Sequence, residues 1–107
     1  MSNSVGGVTF SEAEALRVFK GITGDRVLLA VLAGVQPEPA WEGCTIRVGA
    51  AAPDQIQVDV EGQAADAVLP RLVETLERMG ISTRAARTRL EGGSPLARVS
   101  GGRWQSA

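Results

Sequence analysis

Apolar and polar residues alternate along two neighbouring segments of the chain, and this pattern predicts two strands. Every second residue is apolar from 44 to 48 and again from 56 to 60, with a turn over residues 50–54 between them. Successive side chains of a strand point to opposite faces, so each segment has one buried and one solvent-facing side. The pair is predicted to form a β-hairpin, with Asp59 and Glu61 together on its solvated face.

A second pattern predicts a helix from about Asp66 to Met79. Its apolar residues recur at intervals of three and four, which places them on one stripe of the helix. Asp66 is expected to cap the N-terminus and Gly80 to end the helix, while Pro70 constrains the first turns. The stripe consists of Val68, Leu69, Leu72, Val73, Leu76 and Met79.

The N-terminal part of the chain predicts a short strand at residues 8–10, followed by a helix. Ser11 and Glu14 match the S-x-x-E pattern of a capping box, in which each side chain satisfies a free backbone N–H of the other residue. Leu16 and Phe19 lie three residues apart and are expected to form the buried stripe of this helix.

Two segments fit either secondary structure. Residues 26–35 are an apolar run whose Leu and Ala content favours a helix, but a buried strand has the same appearance. Residues 81–90 fit a last strand or a short helix, and the glycines and proline beyond them predict a flexible tail over residues 91–107. The predicted fold is α+β: a single domain over residues 8–90, in which a small antiparallel sheet packs on two or three helices, followed by an Arg-rich C-terminal segment.

Charge is segregated along the chain. Residues 1–77 hold eleven acidic and five basic residues, whereas residues 78–107 hold six arginines and one acidic residue. Guanidinium groups are permanently charged, planar donors for carboxylate or phosphate, so the C-terminal segment is the first candidate for partner binding. Its tryptophan, and one in an earlier loop, would either anchor a partner or fill the core. The candidate partner-binding residues are Arg84, Arg87, Arg89, Arg103, Trp104 and Trp41.

The chain offers little for catalysis. It contains no histidine, no tyrosine and a single cysteine, Cys44, so the usual general base, the commonest metal ligand and a Cys–His pair are missing. We therefore expect no enzymatic activity, no catalytic residue, no metal and no cofactor. Cys44 occupies a core-facing strand position and is expected to be a buried, inert thiol.

The expected location is the cytoplasm, without a membrane partner. No apolar run approaches the roughly 20 residues that cross a bilayer, and the longest is interrupted by Gly34. The first residues lack the pattern of a secretory signal, and a lone cysteine fits a reducing compartment. The bias towards Ala, Gly, Val and Arg resembles high-GC bacterial or phage genomes.

The predicted order is strand, helix, turn, helix, strand, strand, helix, and the tetrapeptide GITG lies in the turn between the first two helices. In this respect the chain resembles a type I KH domain over roughly residues 8–79. In that family a GxxG loop between two helices clamps the backbone of four nucleotides. The resemblance implies a phosphate loop formed by Lys20, Gly21, Ile22, Thr23, Gly24 and Arg26.

A second resemblance covers about residues 20–78. The stretch GITGDRV, a proline-bearing loop and the segment QIQVDVEGQAADAVLPRLVETL look like small tail-completion proteins of tailed phages. This resemblance implies a structural part of an assembly, without catalysis.

Two functions follow as hypotheses. The leading one is a non-catalytic binding or assembly module that associates with itself as a homo-oligomer or docks on another protein, because the acidic body and the basic segment are complementary. The alternative is a KH-like protein that binds single-stranded nucleic acid through the GITG loop and the cluster of Arg84, Arg87 and Arg89.

Overall fold

The structure, a computed structural model, describes residues 4–22, 24–86 and 89–106, and within them the chain forms six strands and three α-helices. A single turn of 3-10 helix spans Pro39–Trp41. The strands are β1 (Ser4–Ser11), β2 (Thr45–Ala52), β3 (Gln55–Gly62), β4 (Thr83–Ala86), β5 (Ser94–Ser100) and β6 (Arg103–Ser106). The helices are α1 (Glu12–Val18), α2 (Gly24–Gly34) and α3 (Ala65–Arg78).

All six strands join one antiparallel sheet in the order β4-β1-β3-β2-β5-β6. β2 and β3 pair as the predicted hairpin, with Val48 opposite Val58. β1 pairs with the other edge of β3, from Ser4 opposite Gly62 to the end of the strand. The predicted α+β fold, with an antiparallel sheet packed on helices, is therefore confirmed.

One hydrophobic core lies between the helices and one face of the sheet. The sheet supplies alternate residues to this core, among them Phe10 of β1 and Val60 of β3, both at most 1% exposed. Burying these side chains removes apolar surface from water at roughly 25 cal/mol per Å². We call the opposite face of the sheet, over which the described residues place no helix, the open face.

The ambiguous run at residues 26–35 is helical up to Gly34, the last residue of α2. Its apolar residues recur at helical spacing, so α2 turns one side to the core and leaves Leu29 38% exposed on the other. The buried side consists of Gly24, Val27, Leu28, Val31 and Leu32.

α1 is shorter than its pattern suggests. Its N-cap is Ser11, as predicted, and the Ser11 hydroxyl accepts from the backbone N–H of Glu14 at 3.4 Å. The Glu14 carboxylate accepts instead from the backbone N–H of Ser82, at 2.9 Å, because β4 starts beside it. α1 has only two turns and places Ala15 in the core. Of the two residues of the predicted stripe, Leu16 is 40% exposed, contrary to the prediction, whereas Phe19 is half-buried and packs against the core.

α3 turns the predicted stripe towards the core, but its N-cap lies two residues earlier than expected. Its N-cap is Ala64 rather than Asp66, which lies in the first turn, where a carboxylate interacts favourably with the helix dipole. Pro70 lies inside the helix on its exposed side. Proline has no backbone N–H, and the helix hydrogen bond that is lost here involves groups close to water.

The end of α3 is the predicted glycine stop. Gly80 adopts φ 92°, a left-handed conformation that suits glycine, and its N–H bonds the carbonyl of Glu77. The N–H of Ile81 bonds the carbonyl of Leu76 at 3.0 Å, and both of these side chains are fully buried. This pair of bonds is a Schellman motif, and it turns the chain from α3 towards β4.

The C-terminal residues differ most from the prediction. Residues 83–86 of the ambiguous segment 81–90 form the strand β4, and residues 94–100 and 103–106 form β5 and β6 rather than a flexible tail. β5 pairs with β2, a contact between segments far apart in sequence that local glycine and proline signals do not reveal. The Trp104 indole then ties β6 to the helices by donating to the carbonyl of Val35 at 2.8 Å.

Candidate interaction surface

The open face of the sheet collects arginines from several strands, and strand alternation shows why. Arg47 lies between Ile46 and Val48, which point into the core, so its side chain faces away from the helices. Arg84 of β4 is paired with Thr9, whose neighbours on β1 are both buried, so Arg84 lies on the open face too.

The hairpin of β5 and β6 brings two further arginines to the same face. Arg98 lies between the buried residues Ala97 and Val99 and is exposed. Arg103 precedes Trp104, whose indole reaches the helix side, so Arg103 points the other way and is exposed.

Residues 89–93 bring a fifth arginine to the open face. Arg89 forms an ion pair with Glu61 of β3, and the same carboxylate lies 3.5 Å from Nε of Arg47. Arg47 also donates to the carbonyl of Gly93 at 3.2 Å. We call the five arginines the arginine face: Arg47, Arg84, Arg89, Arg98 and Arg103.

A buried carboxylate holds this segment in place. Asp59 is 1% exposed, because residues 89–93 lie over it, so the prediction that it is solvated is wrong. Its Oδ2 accepts from the Leu90 N–H at 2.6 Å, and its Oδ1 accepts from the side-chain amide of Gln57 at 3.0 Å. A buried carboxylate needs such donors to offset its lost hydration.

Most of the arginine face is free to bind a partner. Among the described residues, Arg84, Arg98 and Arg103 form no ion pair. The Glu61 side chain is 16% exposed, and it forms ion pairs within the domain with Arg47 and Arg89, which are 35% and 62% exposed.

Acidic residues predominate on the other side of the molecule. Six of the twelve acidic residues lie on the three helices, together with four arginines, whereas in the described part of the chain the strands turn the buried Asp59 and the half-buried Glu61 to the open face, and residues 89–93 add the exposed Glu91. The segregation along the sequence thus becomes an excess of positive charge on one face. On α3 the exposed acids are Asp66, Glu74 and Glu77, which we call the acidic ridge.

The GITG loop joins α1 to α2. Gly21 is exposed with φ 80°, Ile22 is half-buried, and Thr23 lies outside the described residues. Lys20 and Arg26 flank the loop and are both exposed, so the cations that the KH resemblance requires are accessible.

Gly24 has a packing role that the sequence did not reveal. A Cβ at this position would lie 1.7 Å from Cδ1 of Ile56, so the start of α2 approaches β3 closely only because Gly24 has no side chain. Beside it is a shallow hollow of about 310 Å³, lined by the carboxylates of Glu12 and Asp25 and by apolar residues including Val48. Two carboxylates at its rim disfavour a phosphate there.

Both tryptophans lie on the helix side of the sheet, apart from the arginine face. Trp41 is 2% exposed, and its ring centroid lies 6.3 Å from that of the half-buried Trp104. The guanidinium of Arg71 covers Trp41 at 5.4 Å from the ring centroid and lies 3.5 Å from a Glu38 oxygen. Each tryptophan therefore packs within the domain.

The remaining candidates show little reactive chemistry. Cys44 is fully buried, and burial raises the pKa of its thiol. Across the described ranges no three His, Cys, Asp or Glu residues lie close enough together to hold a metal ion. In the same part of the chain no helix has the length and apolar character needed to cross a membrane.

The structure brings together only part of the predicted arginine cluster. Arg84 and Arg89 share the open face with Arg103, while Arg87 lies outside the described residues. Arg47 and Arg98 belong to the same surface but were not predicted to do so. Arg47 was visible as a polar position of the predicted hairpin, whereas Arg98 required the pairing of β5.

No protein-family model, curated protein or solved structure matches this chain.

Proposed function

We propose that this protein is a non-catalytic docking module whose arginine face binds an acidic surface of a protein partner. One observation carries the proposal: five arginines from three parts of the sequence lie on one helix-free face of the sheet, from β4 at one edge to β6 at the other. Strands hold four of these side chains, and Arg89 lies in the segment between β4 and β5. A guanidinium donates two parallel hydrogen bonds to a carboxylate. The resemblance to phage tail-completion proteins agrees with a role in an assembly.

A protein partner fits the arginine face better than a nucleic acid. All four aromatic residues of the chain belong to the core or pack against it, so the open face lacks a ring on which a base stacks. Glu61 lies in the middle of the arginines, and the net charge of the chain is −1. The closely spaced phosphates of a nucleic acid would be repelled by Glu61. The separated carboxylates of a protein surface can instead pair with individual arginines.

A labelled polyglutamate peptide of about 20 residues tests the proposal by fluorescence anisotropy. We expect binding that weakens as salt rises, because exposed charges are screened over about 8–10 Å near physiological ionic strength. Arg98→Ala/Arg103→Ala should weaken binding about 2- to 30-fold, the equivalent of about 0.2–1 kcal/mol for each exposed pair.

The matched control is Arg17→Ala/Arg26→Ala, which removes the same charge from α1 and α2, outside the arginine face. This variant should bind polyglutamate within about twofold of the wild type, since surface changes away from the contact have little effect. Equal losses in the two variants would show that only net charge matters, and the proposed face would be wrong.

A KH-like function is the second candidate, and one observation favours it. From β1 to α3 the elements follow the order strand, helix, helix, strand, strand, helix, with Gly21 and Ile22 between α1 and α2 and Gly24 as the first residue of α2. Lys20→Ala/Arg26→Ala is the appropriate variant, because it leaves the packing of Gly24 on Ile56 intact.

Titration with a single-stranded RNA of about 12 nucleotides distinguishes the two functions. A KH-like protein should bind this RNA at micromolar concentration in low salt and lose affinity in the Lys20→Ala/Arg26→Ala variant, since phosphate contacts release counterions. Absence of binding under these conditions would rule out the KH-like function and leave the docking module unaffected.

A further inference from the structure

We infer that the acidic surface bound by the arginine face is the acidic ridge of a second copy of this chain, so that copies associate head to tail. The inference rests on the proposed function and names its partner. The inference depends on charge complementarity between the arginine face and the acidic ridge. These two surfaces lie on opposite sides of the molecule, the first on the sheet and the second on the helix layer.

The acidic ridge is well placed for such a contact. Asp66, Glu74 and Glu77 are exposed, and they lie on the side of α3 opposite to its fully buried residues Val68 and Leu72. Glu74 pairs with Arg78 at 2.7 Å, but both side chains are about 70% exposed, so this bond is readily exchanged for one to a partner arginine.

The position of the two surfaces decides the symmetry of the contact. Because α3 packs its buried side against β1 and β3, its ridge faces away from the sheet, and the arginine face lies on the far side of that sheet. A two-fold pair built on the arginine face would set arginines against arginines. Ridge-to-face docking is therefore heterologous, and each contact leaves one surface of each kind free for a further copy.

Sedimentation velocity across a range of protein and salt concentrations tests the inference. We expect the mean mass of the wild-type protein to exceed that of a dimer at high protein concentration and to fall towards the monomer as salt rises. Arg98→Glu/Arg103→Glu, the face variant, and Glu74→Gln/Glu77→Gln, the ridge variant, should each weaken association at least tenfold.

Mixing the two variants gives the decisive result. The face variant keeps an intact ridge and the ridge variant keeps an intact arginine face, so one productive contact forms between them. An equimolar mixture should therefore produce a species of two chains and nothing larger. Arg17→Glu/Arg26→Glu makes the same change in net charge as the face variant but on the helices, and it should associate like the wild type.

Several outcomes would overturn the inference. A ridge variant that associates like the wild type would exclude the ridge, and a mixture that stays monomeric would exclude the head-to-tail contact. A wild-type protein that is monomeric at every salt concentration yet binds polyglutamate would refute self-association while leaving the proposed function intact. Circular dichroism and thermal melting of each variant show whether it is folded, so loss of association is separated from unfolding.

Discussion

At the scale of single residues, Asp59 helps to hold residues 89–93 against the sheet, together with Arg47 and Glu61. Its buried carboxylate accepts from the Leu90 N–H and the Gln57 side chain. Asp59→Ala would leave that N–H without its acceptor beneath the segment, and an unsatisfied buried donor costs about 1–3 kcal/mol. We therefore expect the free energy of unfolding to fall by about this amount, measured by urea denaturation.

Two further variants show whether the carboxylate itself is responsible. Asp59→Asn keeps one oxygen as an acceptor and should lose less stability than Asp59→Ala. Asp54→Ala removes an exposed carboxylate from the turn between β2 and β3 and should change stability by no more than about 0.5 kcal/mol. If Asp59→Ala unfolds at the wild-type urea concentration, the carboxylate does not anchor the segment.

Cys44 gives a prediction about reactivity and pH. Burial raises the pKa of its thiol, so less of the reactive thiolate is present at neutral pH than in an exposed cysteine. We expect iodoacetamide to modify Cys44 slowly in the native protein and rapidly in urea, as followed by mass spectrometry. Equal rates in the two states would mean that the thiol is accessible.

The same shift predicts a loss of stability at alkaline pH. Because the pKa of Cys44 is higher in the folded chain than in the unfolded chain, the contribution of this thiol to stability is complete below the unfolded pKa, about 8.5, and decreases as pH rises through the folded pKa. Cys44→Ala should therefore lose less stability than the wild type between neutral and alkaline pH.

At the scale of elements, the docking of α3 is the feature that the sequence predicts best. Leu72 is fully buried at the centre of the helix stripe, whereas Leu29 of α2 is 38% exposed. Leu72→Ala should cost about 2–5 kcal/mol, the usual range for a buried leucine. Leu29→Ala makes the same chemical change at the surface and should cost much less; similar urea midpoints for the two variants would contradict this packing.

Local periodicity explains which elements were predictable. The hairpin of β2 and β3 and the helix α3 each place their apolar residues on one side, so these residues recur with a period that reveals the element. α2 was ambiguous because its apolar run is short. β5 and β6 were missed because their stability comes from pairing with distant β2 and from the Trp104 contact, which no local pattern displays.

At the scale of the whole molecule, the charge pattern of the sequence predicted three of the five arginines of the arginine face, and the strand register explains the other two. The basic C-terminal segment pointed to Arg84, Arg89 and Arg103 before any strand was placed there. Arg47 and Arg98 join them only because β2 and β5 are neighbours in the sheet. The two tryptophans, predicted either to anchor a partner or to fill the core, pack within the domain.

The last prediction follows from the double use of the arginine face. If this face binds both polyglutamate and the acidic ridge of another copy, the peptide must compete with self-association. Adding polyglutamate at constant ionic strength should reduce the mean mass in sedimentation to that of single chains with bound peptide. Free glutamate at the same carboxylate concentration, with salt adjusted to match, should leave the oligomers intact, since separate carboxylates lack the effective concentration of a linked chain. If the oligomers persist while polyglutamate is bound, the peptide and the second copy bind different surfaces. The acidic ridge would then contact a surface other than the arginine face.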